Sequence, residues 1–149
     1  MHLVSPRVNV FSMSKAIACA HANVALIKYW GKSNEALKIP AAGSLSITLD
    51  ALTTRTEVSF SGDLEGDRME LDGKRSGLPP GAKTIVELVR TQSGLSAALQ
   101  IKSTNDFPTA AGLASSASGM AALALAASKA AGLDLDATQL SILARRGSA

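Results

Sequence analysis

The chain has 149 residues, the length of roughly one domain, and 46% of them are hydrophobic, enough to build a core. The net charge of +3 and pI near 9.2 are mildly basic, but Lys and Arg are scattered and aromatics make up only 3%, which argues against a nucleic-acid stripe with stacking rings. The single cysteine, Cys19, cannot form an internal disulfide and has no second Cys or His cluster beside it for a metal, so a reducing, cytoplasmic setting is expected.

No apolar run reaches the roughly 20 residues of a membrane span, and the opening MHLVSPRVNVFSMSK lacks the continuous apolar stretch of a signal peptide. Residues 1–14 are expected to be a poorly ordered extension, with one domain over 15–149. Lys15 to Ala22, small and apolar, reads as a buried strand, which makes Cys19 an inert core thiol and His21 a structural strand-end residue. It leads into NVALIKYWGK. After Pro40, SLSITLD alternates Leu45, Ile47 and Leu49 against Ser44, Ser46 and Thr48, a strand pattern, and TTRTEVSF is rich in strand formers too. Gly62 to Gly66 reads as a hairpin connection into RMELDG.

Past Pro79 and Pro80, AKTIVELVRTQSG places Ile85, Leu88 and Val89 on one helical face and stops at Gly94. Ala97 to Ser103 suits another strand, and Asp106 behind it suits a turn. An Ala-rich helix is expected from about Ser116 to Ala131, ending at Gly132. DATQLSILARRG then begins with Asp136 and Gln139 at capping-box spacing, with Leu140, Leu143 and Ala144 inward and Arg145 and Arg146 at the cation-favouring C-terminal end. Strands first and helices after point to α+β.

Two stretches carry the chemistry. PTAAGLASSASG, Pro108 to Gly119, lies between a strand and a helix. Its small residues uncover backbone N–H groups, its serines add hydroxyls, and the helix dipole points its positive end at the same place. That combination holds phosphate, although neither a Walker A loop nor a GxGxxG fingerprint is present. A run of Ala, Gly and Ser equally lets two helices pack closely, and on physics alone both readings stand. NVALIKYWGK places Lys28 and Lys32 four apart, able to flank an anion or to be two solvated lysines at a strand end.

NVALIKYWGK, PxxxSLSITLD, NDFPTAAGLASSASG and ARRGS, in this order from about Lys15 to Ala149, resemble the mevalonate diphosphate decarboxylase family. That family belongs to the superfamily of galactokinase, homoserine kinase, mevalonate kinase and phosphomevalonate kinase, abbreviated GHMP. The sister kinases usually carry a Gly-Glu-His element where this chain has Tyr-Trp-Gly-Lys. The resemblance implies a GHMP-kinase N-terminal domain, ribosomal protein S5 domain 2-like, with a mixed, mostly antiparallel sheet backed by helices. It also implies ATP, Mg2+ and 5-diphosphomevalonate as ligands, and relatives of this kind often form homodimers.

By the same resemblance, Pro108, Ala111, Gly112, Ala114, Ser115 and Ser116 surround the ATP phosphates, with Ser115 a magnesium ligand. Asn23, Tyr29, Lys32 and Ser148 contact substrate, and Lys28 stands at the reacting groups. The aspartate that orients the substrate hydroxyl comes from a C-terminal half, beyond Ala149, so this chain is expected to be an N-terminal fragment, inactive alone. It departs from the pattern at Ala42 and Gly43, where relatives carry Asn or Asp followed by Ser, and at His21, where Pro is usual. A sister kinase, a monophosphate decarboxylase, and a non-catalytic nucleotide-binding or self-associating fragment are the competing expectations.

Overall fold

The computed structural model describes residues 14–28, 31–108 and 115–148. Two long strands, β1 (Ser14–Ile27) and β4 (Leu45–Ser61), form an antiparallel ribbon, and between them lies a small hairpin of β2 (Lys32–Asn34) and β3 (Ile39–Pro40). The chain continues through β5 (Arg68–Leu71), β6 (Lys74–Ser76), helix α1 (Pro80–Ser93), β7 (Ala98–Asn105), α2 (Ser115–Ala130) and α3 (Ala137–Gly147). The five-stranded sheet has the order β1-β4-β7-β5-β6, antiparallel except for the parallel pair β5 and β7.

Three expectations change here. The strand proposed for Lys15 to Ala22 runs on to Ile27, so NVALI is strand as well. SLSITLD and TTRTEVSF are one strand, kept continuous although its register against β1 slips between His21 and Ala22. Gly62 to Gly66 is not a hairpin, because β5 crosses over β7 and lands on its far side. The tight hairpin lies one step later, where Asp72 (φ 48°) and Gly73 (φ 77°) both take the left-handed conformation that a two-residue β-turn requires.

The helices cover one sheet face. Val58 and Phe60 of β4 stand opposite Ile101 and Leu99 of β7, and they share one core with Ala82, Ile85, Val86 and Val89 of α1, all at most 4% exposed. Each buried Val, Leu or Ile of this kind stabilises the fold by about 1.5–3 kcal/mol relative to exposure. Helix α1 ends as the sequence indicates: Gly94 adopts φ 72° and returns its N–H to the Arg90 carbonyl. Helix α3 starts with the full capping box, the Gln139 N–H donating to Asp136 Oδ1 at 2.8 Å and the Asp136 N–H to Gln139 Oε1 at 2.9 Å.

Helix α2 is apolar nearly all round because it is the central helix, packed on β1 and β4 and against α1 and α3. Ala122, Ala124, Ala126, Ala127 and Ala130 are all buried there, and their short side chains let four neighbours close around one backbone. On the opposite sheet face, Cys19 is exposed, which corrects the expectation of a core thiol. Ala18 and Ala22 take the inward side of β1, and strict alternation sends Ile17, Cys19 and His21 outward.

Candidate functional site

Both motifs lie toward one end of the sheet: the loop into α2 follows Asn105, which pairs with Thr54, and β1 runs on past Ala20, the other partner of Thr54, into NVALIKYWGK. Helix α2 begins at Ser115, as expected of a phosphate-binding turn, with Ser116 exposed beside it and no acidic residue in the first turn to repel an anion. Pro108 is exposed behind β7. Ala111, Gly112 and Ala114, also expected at the phosphates, lie outside the described residues, as does Tyr29.

The first motif spreads over the same end of the β1 and β4 ribbon. Asn23 pairs with Thr48 in register, and its Nδ2 donates to Ser46 Oγ at 3.3 Å. Lys28 is exposed just past the end of β1. Lys32 opens β2 and forms an ion pair with Glu35 at 3.3 Å. The short hairpin around it is held by local bonds: the Leu37 N–H donates to Asn34 Oδ1 at 2.8 Å, and Ser33 Oγ donates to the carbonyls of Ile39 and Pro40. Ala42 and Gly43 are exposed behind it.

Sequence reading did not single out Lys38, which joins this hairpin to the last motif. It takes a left-handed conformation, φ 52°, and its Nζ donates to the carbonyl of Ser148, the residue that caps the C-terminal end of α3. The structure thereby brings Lys32, Lys38 and Ser148 toward one region, although they lie far apart in sequence. The glycine of ARRGS has a packing reason: a Cβ on Gly147 would meet Ile85 Cδ1 at 2.4 Å, and one on Gly81 would meet the Gly147 carbonyl at 1.9 Å. The end of α3 rests directly on the start of α1. Among the described residues, no hydrogen bond or ion pair links Asn23, Lys28 or Lys32 to Ser115 or Ser116.

A second group missed by sequence reading lies beneath the start of α2. Thr54 Oγ1 donates to Asn105 Oδ1 at 2.6 Å and stands 2.7 Å from Ser118 Oγ, while Thr56 Oγ1 is 2.9 Å from Ser103 Oγ. Thr54, Thr56 and Ser118 are at most 2% exposed and Ser103 is 6%. A signal for them existed in the inward positions of the two strands. Phe60 and Val58 face Leu99 and Ile101, and toward the other end the same rows turn polar, Thr56 opposite Ser103 and Thr54 opposite Asn105.

This polar end borders a cavity of about 140 Å³, whose walls include Thr54, Met69, Leu71, Ser115, Gly119 and Met120. A Cβ on Gly119 would meet nothing within 4 Å, so this glycine keeps space open rather than backbone close. Asp106, expected in a turn, lies in a bend just past β7 and is held across to β4: Thr53 donates its N–H to Asp106 Oδ1 at 2.6 Å and accepts the Asp106 N–H on its carbonyl. Among the described residues no three His, Cys, Asp or Glu side chains cluster to hold a metal. A magnesium ion brought by a nucleotide depends little on such a cluster, since it keeps several waters and binds largely through the phosphates, and the Ser115 hydroxyl at the open helix start fits as one added ligand. No helix among the described residues is long and apolar enough to cross a membrane.

The model of the diphosphomevalonate decarboxylase-like N-terminal domain matches residues 20–149. The diphosphomevalonate decarboxylase of Candida albicans is 39% identical over 150 residues, covering 91% of this chain and 41% of the relative. A structure of MDDEF in complex with MVAPP, AMPPCP and magnesium superimposes with a TM-score of 0.85 at 48% identity, over 92% of this chain and 42% of that one. Another, on mevalonate diphosphate mediated ATP binding by the mevalonate diphosphate decarboxylase from Enterococcus faecalis, gives the same score and identity over 43% of its chain. The chain spans about two fifths of the length of these relatives. With four motifs in order and a matching backbone, the chain belongs to the diphosphomevalonate decarboxylase-like N-terminal domain family and has the α+β fold of a GHMP-kinase N-terminal domain.

Proposed function

We propose that residues 15–149 form one domain carrying the ATP-phosphate and substrate-diphosphate contacts of an ATP-dependent diphosphomevalonate decarboxylase. The single observation that carries this reading is the 48% identity, over 92% of the chain, to a structure holding MVAPP, AMPPCP and magnesium together. In the reaction, the γ-phosphoryl group of ATP passes to the 3-hydroxyl of 5-diphosphomevalonate and ADP leaves. The carbon–oxygen bond to that phosphate then breaks, the carboxylate departs as carbon dioxide, and its bonding electrons form the double bond of isopentenyl diphosphate.

Phosphoryl transfer is mostly positioning and charge neutralisation, and the chain offers both. The N-terminal turn of α2, with Ser115 and Ser116, faces the triphosphate, and the cavity beside Ser115 and Gly119 is apolar enough to accept the nucleoside base. The Ser115 hydroxyl would help to hold a magnesium ion brought by the nucleotide, and that ion would supply further neutralisation. Lys32 and Ser148, with Asn23 and Tyr29, hold the substrate, its diphosphate above all, and Lys28 places its ammonium beside the reacting groups.

Titration calorimetry of the 149-residue chain with a non-hydrolysable ATP analogue and magnesium tests the nucleotide half of the reading. Binding is expected, weakened about tenfold or more by Ser115→Ala, the size of a lost hydrogen bond to a charged group. No binding, or binding indifferent to Ser115, would sink it. The resemblance assigns the hydroxyl-orienting aspartate to a C-terminal half, so binding without turnover is expected of these 149 residues. Carbon dioxide release by them from 5-diphosphomevalonate and ATP would overturn that assignment, and ADP formation without carbon dioxide would favour a sister kinase.

A further inference from the structure

We propose that Thr54 is a positioning residue for anion binding at the start of α2, acting through Ser118. Three observations carry this. Thr54 and Asn105 are direct cross-strand partners, so their side chains share the inward face where the pairing of β4 with β7 ends, beside the start of α2. The Thr54 hydroxyl has one proton, and it goes to Asn105 Oδ1 at 2.6 Å, which leaves its lone pairs to accept from Ser118 Oγ at 2.7 Å. Ser118 lies in the first turn of α2, three residues past Ser115, whose carbonyl is the other acceptor within its reach among the described residues, at 3.3 Å.

The arrangement is a buried relay from sheet to helix. A helix start is its least constrained part, because the first four N–H groups have no intrahelical acceptor. Along the rest of α2 the buried side chains toward the sheet and the other helices are mainly Ala and Leu, which fix depth through packing but fix rotation and axial height poorly. One directional bond from a rigid central strand does fix them. Thr54 supplies it, with a proton order that Asn105 dictates. The residues thereby aimed are Ser115, Ser116 and the amides around them, the donors assigned above to phosphate; in that respect the inference rests on the proposed function. Thr54 also lines the cavity, but its hydroxyl is already committed on both sides.

The test compares Thr54→Val, which keeps shape and removes the hydroxyl, with Thr54→Ser, which keeps the hydroxyl. The first readout is amide hydrogen exchange of the full chain without nucleotide. Gly119 and Met120, which by helical geometry bond back to Ser115 and Ser116, are expected to exchange about tenfold faster in Thr54→Val, while Ala126 and Ala127 stay unchanged and Thr54→Ser restores the original rates. The second is affinity for a non-hydrolysable ATP analogue with magnesium, expected to fall about tenfold in Thr54→Val and recover in Thr54→Ser.

Unchanged exchange at Gly119 and Met120 would overturn the proposal, and so would faster exchange with full affinity. Faster exchange in a chain whose unaltered form binds no nucleotide supports the relay as an ordering device and overturns the nucleotide reading instead. Should Thr54→Val fail to fold, Ser118→Ala cuts the same relay from the helix side and is expected to give the same pattern.

Discussion

Ser128 lies inside α2 at 1% exposure, and its Oγ finds no hydrogen-bond partner among the described residues. A buried hydroxyl without a partner loses its water and gains nothing in return, at a cost of about 1–3 kcal/mol, and Ser is also a poorer helix former than Ala. Ser128→Ala is therefore expected to stabilise the chain by about 1 kcal/mol, read as a higher urea midpoint with an unchanged slope. A lower midpoint would show that the hydroxyl is satisfied. Ser118, ten positions earlier in the same helix, is the contrast: its hydroxyl has Thr54 as partner, so Ser118→Ala is expected to destabilise. Nothing in ASSASGMAALALAASKA distinguishes these two serines locally. What separates them is whether a polar strand residue stands opposite, and that is a non-local fact.

At the scale of elements, the contact between α1 and α3 is the tightest approach of two helix ends described above. The Gly81 and Gly147 backbones touch there, and Lys38 reaches over from the β2 and β3 hairpin to the Ser148 carbonyl. A methyl group at position 81 would sit 1.9 Å from the Gly147 carbonyl oxygen, a backbone atom that cannot rotate away. Gly81→Ala is expected to cost about 3 kcal/mol, at the upper end for overpacking. Gly119→Ala is the control, since the new methyl meets nothing within 4 Å and removing a mid-helix glycine gains up to about 1 kcal/mol. Thermal melts of the two variants should move in opposite directions.

Elements whose signals are local were legible in the chain. Gly94 stops α1, Asp136 with Gln139 starts α3, and Ser115 stands at the start of α2 within one residue of the expectation. Pairing was not legible. The Gly62 to Gly66 segment has hairpin composition, yet β5 bypasses β4 because β7, arriving some thirty residues later, takes the place between them. The orientation of Cys19 had a local signal that the apolar Ile17 and Cys19 obscure: Lys15 and His21, both polar, share its parity and point outward with it, opposite an all-alanine row. The site followed the same division. Its serines and lysines are readable as a motif, whereas Lys38 and Thr54 act through contacts made across the fold.

For the molecule as a whole, the response to acid depends on one ion pair more than on net charge. Arg90, in the last turn of α1, grips Asp67 with two bonds of 2.6 and 2.8 Å and donates to the Ala97 carbonyl, while Asp67 accepts the Leu99 N–H at 3.1 Å. Four bonds thus tie the entry of β5, the end of α1 and the start of β7. The Arg90 hydrogen bond is the main reason the Asp67 carboxyl titrates below its ordinary range; the Leu99 N–H helps, and partial burial opposes. A carboxyl whose folded pKa is depressed adds stability that is complete above its unfolded pKa, about 3.9 for Asp, and is lost as pH falls from there through the folded value. Glu57, beside Lys15, and Asp134, beside Lys129, shift the same way; the Asp134 pair is largely in water and such pairs contribute little, while Glu57 has a half-exposed lysine partner and, among the described residues, no backbone N–H to match that of Leu99 on Asp67. Asp67→Asn should therefore lower stability at neutral pH and flatten its decline below about pH 5, whereas Asp134→Asn should leave the acid limb unchanged. Urea unfolding at a series of pH values decides between them. Equal slopes for Asp67→Asn and the unaltered chain would mean that some other carboxyl controls the acid transition.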